Sequence, residues 1–223
     1  MIIDCISDLH GHYPELDGGD LLFVAGDFTA RDTEREHVLF CHWLSNLPYR
    51  KKIIVAGNHH NGWVGQVAHK GPDPINPNYE WYEYLCDSGT EFEGLKIWGS
   101  PWSRTFEGMN PHCKAFTKDT DEELAEKWEL IPKDIDILIT HSPPMYLMDL
   151  VERGPYPVNV GSASLANKIK EMDHILHVFG HIHEGYGYEE LTRNSDGHIY
   201  KICNASHVNE YYKPVNKPIR VIL

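Results

Sequence analysis

Five short apolar runs in this chain each break off in a polar side chain able to bind a metal, and that repeated punctuation limits the fold more than any other feature. Ile2 to Ser7 leads into Asp8 and, two residues on, His10. Leu21 to Ala25 ends at Gly26-Asp27, and Lys52-Ile-Ile-Val-Ala56 ends at Gly57-Asn58-His59-His60. Asp136-Ile-Leu-Ile-Thr140 stops at His141, and His174-Ile-Leu-His-Val-Phe179 stops at Gly180-His181-Ile182-His183. Uninterrupted apolar runs of this kind fit strands buried on both faces, and polar residues just past their ends fit a site at the carboxyl edge of an α/β sheet.

Between the runs the period changes. Thr33-Glu-Arg-Glu36 has the form of a capping box and precedes Phe40, Trp43, Leu44 and Leu47 at helical spacing, before Pro48. Thr120-Asp-Glu-Glu123 opens a second such helix through Trp128 to Leu130, and residues 162 to 172 form a third. Tyr79 to Cys86 reads as a short helix, and Thr90 to Phe92 with Leu95 to Trp98 as a hairpin around Glu93-Gly94. Residues 57 to 80, rich in Gly, Pro, Asn and His, read as a long loop over the site, and residues 100 to 118 as a second one. The last forty residues, with Gly185 to Tyr188, Ile199 to Cys203 and Ile219 to Leu223, read as antiparallel strands closing a second sheet. The expected fold is α/β: one domain over residues 1–223, two stacked mixed β-sheets flanked by helices in a four-layer αββα sandwich, with the site at strand carboxyl ends.

Charge narrows the partners. With 33 acidic against 20 basic residues and a net charge of −13, the chain lacks the Lys/Arg footprint on which polynucleotide binding rests. A small phosphate ester held locally by bound cations stays compatible with that charge. Five cysteines, an odd number with no C-x-x-C pair, read as reduced thiols of a cytoplasmic protein. The short N-terminal apolar run does not form a signal peptide, and no run approaches the ~18 residues of a membrane span.

Collected, the strand-end residues are Asp8, His10, Asp27, Asn58, His59, His141, His181 and His183. Two divalent ions in mixed imidazole and carboxylate coordination need about seven such groups, one of them a carboxylate shared between the ions. No cysteine belongs to the set, and the mixture suits Mn, Fe, Zn or Ni, with Mn favoured. The remaining histidines, including His37, His42, His69, His174, His177 and His198, read as ordinary core or surface residues, with His12 and His60 close behind the site.

These blocks, Asp8-Leu-His10, Gly26-Asp27, Gly57-Asn58-His59, His141 and Gly180-His-Ile-His183, resemble in order and spacing the five motifs of the calcineurin-like binuclear metallophosphoesterases. Flanking runs such as Gly26-Asp-Phe-Thr29, Leu176-His-Val-Phe-Gly-His-Ile-His-Glu-Gly-Tyr186 and Asn204-Ala-Ser206 look like the metallophosphoesterase-domain-containing protein subfamily, whose members act on phosphodiesters including cyclic nucleotides. The resemblance implies that Asp8, His10 and His183 bind one ion and Asn58, His141 and His181 the other, with Asp27 bridging. It further implies in-line attack on phosphorus by a hydroxide shared between the ions, and a catalytic His59 that donates a proton to the leaving oxygen. Many relatives carry an acidic residue after that histidine. Here it is His60, a like-charged neighbour that would weaken the acid.

Trp102, Arg104 and His112 are candidate substrate contacts, Arg104 through a phosphate oxygen and Trp102 by stacking on a base. The alternative is a loop anchored by a buried Trp with a solvated Arg. The leading expectation is a metal-dependent phosphodiesterase for small phosphodiesters, cyclic nucleotides among them. A phosphomonoesterase, a protein phosphatase and a catalytically silent scaffold are the competing readings.

Overall fold

All five apolar runs are interior strands, and the reason lies in which faces they cover. In the computed structural model, which describes residues 1–66, 68–72, 80–106, 112–152 and 155–223, the strands begin with β1 (Ile2–Ile6), β2 (Gly19–Ala25), β3 (Tyr49–Val55), β4 (His69–Pro72) and β5 (Glu80–Tyr84). They continue with β6 (Ser88–Phe92), β7 (Leu95–Ser100), β8 (Ser103–Arg104), β9 (Thr117–Lys118), β10 (Ile137–Thr140), β11 (Leu150–Val151) and β12 (Val158–Asn159). The last are β13 (Leu176–Phe179), β14 (Gly187–Thr192), β15 (Ile199–Asn204) and β16 (Ile219–Ile222), and the helices are α1 (Glu34–Asn46), α2 (Asp121–Trp128) and α3 (Ala163–Lys170).

The strands form two six-stranded sheets, β16-β1-β2-β3-β5-β4 and β14-β15-β13-β10-β7-β6. In each, four inner strands run parallel and one antiparallel strand closes either edge. On β2, Leu21, Phe23 and Ala25 face the partner sheet, where Ile137, Ile139 and Val178 meet them. The alternate residues Leu22 and Val24 pack under Phe40 and Leu44 of α1. Leu124 and Trp128 of α2 with Leu165 and Ile169 of α3 cover Leu138 on the outer face of the second sheet. Both faces of an inner strand are therefore apolar, which removes the period-2 alternation from the sequence. The layers are helix, sheet, sheet, helix, as expected, and both expected capping boxes close, Thr33 with Glu36 and Thr120 with Glu123.

The two sheets join at their carboxyl edges. Just past β1, Ser7 N–H donates to Ala205 O at 2.8 Å, and His207 N–H returns to Ser7 O at 2.8 Å, so the chain leaving β1 pairs with the chain leaving β15. This seam brings the ends of β1 and β2 against those of β10 and β13.

Three expectations are corrected. Residues 80–84 form a strand, not a helix: β5 pairs with β3 in the register Ile53↔Glu83 and Ile54↔Tyr84, and aromatic side chains suit such a pleated surface. The chain end does not close the second sheet; β16 pairs antiparallel with β1 in the first, while β15 runs parallel to β13. Within the two expected loops, β4 forms an edge strand and β8 pairs with β9. Tyr79 and residues 107–111 lie outside the described residues.

The terminal strand is held through Asp4, a buried carboxylate on β1. Arg220 of β16 donates to it twice, from Nε and Nη2 at 2.8 Å each, and the Tyr49 hydroxyl of β3 donates a third bond. Arg220→Ala is expected to lower stability by about 1–2 kcal/mol, allowing for the partial exposure of the arginine. The reading is a lower urea midpoint at unchanged slope, with Arg220→Lys recovering only part because it cannot donate as a planar fork.

Candidate metal centre

The turns that end the inner strands are strained, and the strain falls on the residues singled out by sequence. Asp8 (φ 49°), His10 (φ 43°), Asp27 (φ 47°) and His181 (φ 69°) all occupy the left-handed region, at a cost of about 1–2 kcal/mol for each non-glycine residue. Hydrogen bonds between the turns hold them there. Asp8 N–H donates to Gly26 O and His10 N–H to Asp27 O, both at 3.0 Å, and His181 N–H donates to Asp8 Oδ2 at 2.8 Å. Two glycines permit the crowding: a Cβ on Gly26 would overlap the His141 ring, and one on Gly180 would overlap Asp8 Oδ2 and Ser7 Oγ.

The result is a compact group of donors. Ligand atoms of Asp8, His10 and His183 lie within 4.8 Å of one another, as do those of Asp27, His141 and His181, and those of His10, Asp27 and His59. Asp27 Oδ2 stands 3.4 Å from His141 Nε2 and 3.8 Å from His59 Nε2, and His141 Nε2 is 3.0 Å from Asn58 Oδ1. His183 Nε2 approaches His10 Nε2 at 3.3 Å and Asp8 Oδ1 at 3.5 Å.

Carbonyl groups aim the rings. His141 Nδ1–H donates to Ala25 O at 3.0 Å, His183 Nδ1–H to Asn209 O at 3.1 Å, and His59 Nδ1–H to Ala30 O at 2.8 Å. Because a carbonyl only accepts, each neutral ring carries its proton on Nδ1 and turns an Nε2 lone pair toward the centre.

Charge at the centre is finely opposed. Burial works against ionising Asp8 and Asp27, yet His183 beside Asp8 and His141 and His59 beside Asp27 outweigh it, holding both carboxyls well below the usual range. Burial pushes His10 and His181 down to about 3. It also works against His141, but Asp27, Asp8 and the Ala25 carbonyl raise that ring to about 9. Asp8 Oδ1, His10 Nδ1 and His181 Nε2 are buried without a hydrogen-bond partner. Orphaned acceptors among buried carboxylates and imidazoles are what a cation would satisfy, so the residues present fit divalent metals.

Other expected residues divide. Arg104 lines the cavity beside the centre and His112 lines a second opening past His59. Trp102 lines neither: its Nε1–H donates to Asp87 Oδ2 at 2.8 Å and its ring lies 4.3 Å from Lys127 Nζ, so it serves as the loop anchor of the alternative reading. His60 is fully enclosed and accepts from Gly57 N–H at 3.0 Å through Nδ1, while burial lowers its pKa. A neutral His60 sets no like charge beside His59, contrary to expectation.

Sequence reasoning gave no role to Ser206, whose Oγ donates to Asp8 Oδ2 at 2.8 Å, or to Tyr212, whose ring meets those of His10 and His183 edge-on. The flanking run Asn204-Ala-Ser206 was the available signal for the first. Tyr212 had none.

The calcineurin-like phosphoesterase family model matches residues 1–185. Over 98% of its length the chain is 37% identical to metallophosphoesterase domain-containing protein 1 of Homo sapiens, spanning 70% of that protein, and the Mus musculus protein matches to the same degree. A UPF0046 protein of Caenorhabditis elegans is 32% identical over 95% of the chain and 78% of its own length. Among solved structures, TT1561 of Thermus thermophilus shares the fold at a TM-score of 0.53 and 18% identity, over 91% of this chain and 88% of that one.

Ser206→Ala removes one donor to Asp8 and leaves the turn intact. It is expected to weaken Mn²⁺ binding by about 10-fold, read by calorimetric titration, and Gly180→Ala, which displaces the carboxylate itself, by about 100-fold.

Proposed function

The chain belongs to the calcineurin-like phosphoesterase family, and we propose that within this class of phosphoric ester hydrolases it cleaves small phosphodiesters, cyclic nucleotides among them, using two divalent ions. One observation carries the reading: Asp, His and Asn side chains from five strand ends include three overlapping trios whose ligand atoms lie within 4.8 Å of one another, and Asp8, His10 and His181 have buried atoms that lack a partner. In our assignment Asp8, His10 and His183 hold one ion, Asn58, His141 and His181 the other, and Asp27 serves both. Mn²⁺ is our favoured metal, since the donors are nitrogen and oxygen without thiolate.

When bound, the ions supply Lewis acidity, neutralising phosphoryl oxygens and acidifying an attacking water. The chain's own residues do the rest. The Ala30 carbonyl fixes the His59 ring, so that Nε2 points at the centre 3.8 Å from Asp27 Oδ2. Protonated there, His59 gives its proton to the leaving oxygen as the P–O bond breaks. His60, neutral and packed against Phe28 with the rings tilted and 3.9 Å between centres, holds the Gly57 turn from behind.

The whole chain acts in this reading as one domain, because β16 from its far end pairs with β1. No helix among the described residues is long and apolar enough to cross a membrane. We place the enzyme in the cytoplasm on its five unpaired thiols.

Protein stripped by a chelator is expected to lose hydrolysis of bis(p-nitrophenyl) phosphate and to regain it with Mn²⁺. Asp27→Ala should lower that rate by about 10³-fold or more. Unimpaired turnover by Asp27→Ala would refute the assignment. Faster turnover of p-nitrophenyl phosphate than of the diester would move the reading to a phosphomonoesterase or protein phosphatase, and metal-loaded protein inert toward both would move it to a scaffold.

A further inference from the structure

Two clefts meet at His59. One, of about 230 Å³, is lined by Phe106, Val151, Val160 and Ile182 together with Arg104 and Lys114. The other, of about 530 Å³, is walled by Arg31, Asn61 and His112. His10, His59, Cys113 and Tyr212 line both, so the ring assigned the proton transfer stands at the junction. The clefts differ in chemistry: the first sets a broad apolar wall beside Arg104 and Lys114, whereas the second offers polar donors and the Arg31 guanidinium without such a wall.

The backbone that carries Arg31 is held before any ligand arrives. The N–H of Arg31 and that of Ala30 donate to Glu36 Oε1 at 3.1 and 3.0 Å, and the Ala30 carbonyl takes the His59 Nδ1–H. The neighbouring Asp32 carboxylate is already engaged by His37 Nε2 at 2.7 Å and Gly62 N–H at 2.6 Å. Glu36 is likewise spent on the backbone of residues 30 to 33. No carboxylate of the described residues pairs with the Arg31 guanidinium, in a chain with thirteen more acidic than basic groups. An exposed guanidinium carried on a held backbone and left without a counter-ion, in the lining of a cleft shared with His59, is a recognition element for an anion.

We propose that the two clefts receive the two ester substituents of one phosphodiester: a flat apolar group against Phe106, Val151 and Val160, and an arm bearing an anion against Arg31. The inference rests on the diesterase reading and narrows its substrate class to unsymmetrical diesters that carry a second negative group.

The test compares p-nitrophenyl 3-carboxypropyl phosphate with p-nitrophenyl butyl phosphate, diesters matched in length that differ in the terminal charge, using the Mn²⁺-loaded full chain. The wild type is expected to show a KM about 3- to 5-fold lower for the carboxylate ester, the modest factor reflecting the exposure of Arg31. Arg31→Glu, a surface change, should invert that ratio. Phe106→Ala should raise both KM values together and leave their ratio as in the wild type. Equal KM values in the wild type, or a ratio that Arg31→Glu leaves unchanged, would overturn the two-cleft assignment while the diesterase reading stands. Absence of turnover with either diester would overturn the diesterase reading and the inference with it.

Discussion

Two carboxylates taken out of water, Asp8 and Asp27, are the constraint on which the rest of this structure depends. An isolated buried carboxylate is far too costly to keep ionised, so each must be met on all sides. Asp8 accepts from His181 N–H and Ser206 Oγ, one from each of two chain segments leaving the second sheet. Asp27 accepts from His59 N–H and stands against His141. The partners come from both sheets, so the carboxylates fasten the seam while the seam keeps them dry. The hydrogen bonds still leave Asp8 Oδ1 unmet, and the histidines around it converge their Nε2 atoms on the same space.

The doubling of the sheet follows from this need. The edge of one sheet supplies donors from one side, whereas two sheets supply them from opposite sides of one centre. Two sheets stacked face to face and pinned at Ser7 and Ser206 bring the ends of β1, β2 and β3 opposite those of β10 and β13. The left-handed turns at Asp8, His10, Asp27 and His181 then point side chains inward where a straight strand would alternate them. Strain held at one edge is sustained by the apolar layers beneath it, as is common where geometry serves function.

Much of this was legible in the sequence because the informative signals were local. An inner strand with two covered faces must be apolar without interruption, so β2, β3, β10 and β13 were visible as runs, and each donor follows its strand within a few residues. The capping boxes at Thr33 and Thr120 marked two helices for the same reason. What failed depended on distant partners. The Tyr and Trp residues of 79–86 show no period that separates helix from strand, and only pairing with β3 decides the matter. The place of β16 beside β1 is set by Arg220 meeting Asp4 across most of the chain. From sequence Trp102 reads either as a platform for a base or as a loop anchor, and only the distant Asp87, which accepts from its indole, separates the two. Ser206 and Tyr212 reach the centre from a C-terminal segment beyond the matched family region; the run Asn204-Ala-Ser206 pointed to the first, and no local pattern marks the second.

The central claim is that two ions share one carboxylate between two differently built halves of a single centre. Anomalous diffraction from crystals of the Mn²⁺-loaded protein, recorded at the manganese edge, addresses it most directly. The account predicts two peaks, one among Asp8, His10 and His183 and the other among Asn58, His141 and His181, with Asp27 in contact with both. A single peak, or two peaks with Asp27 bound to neither, would contradict it.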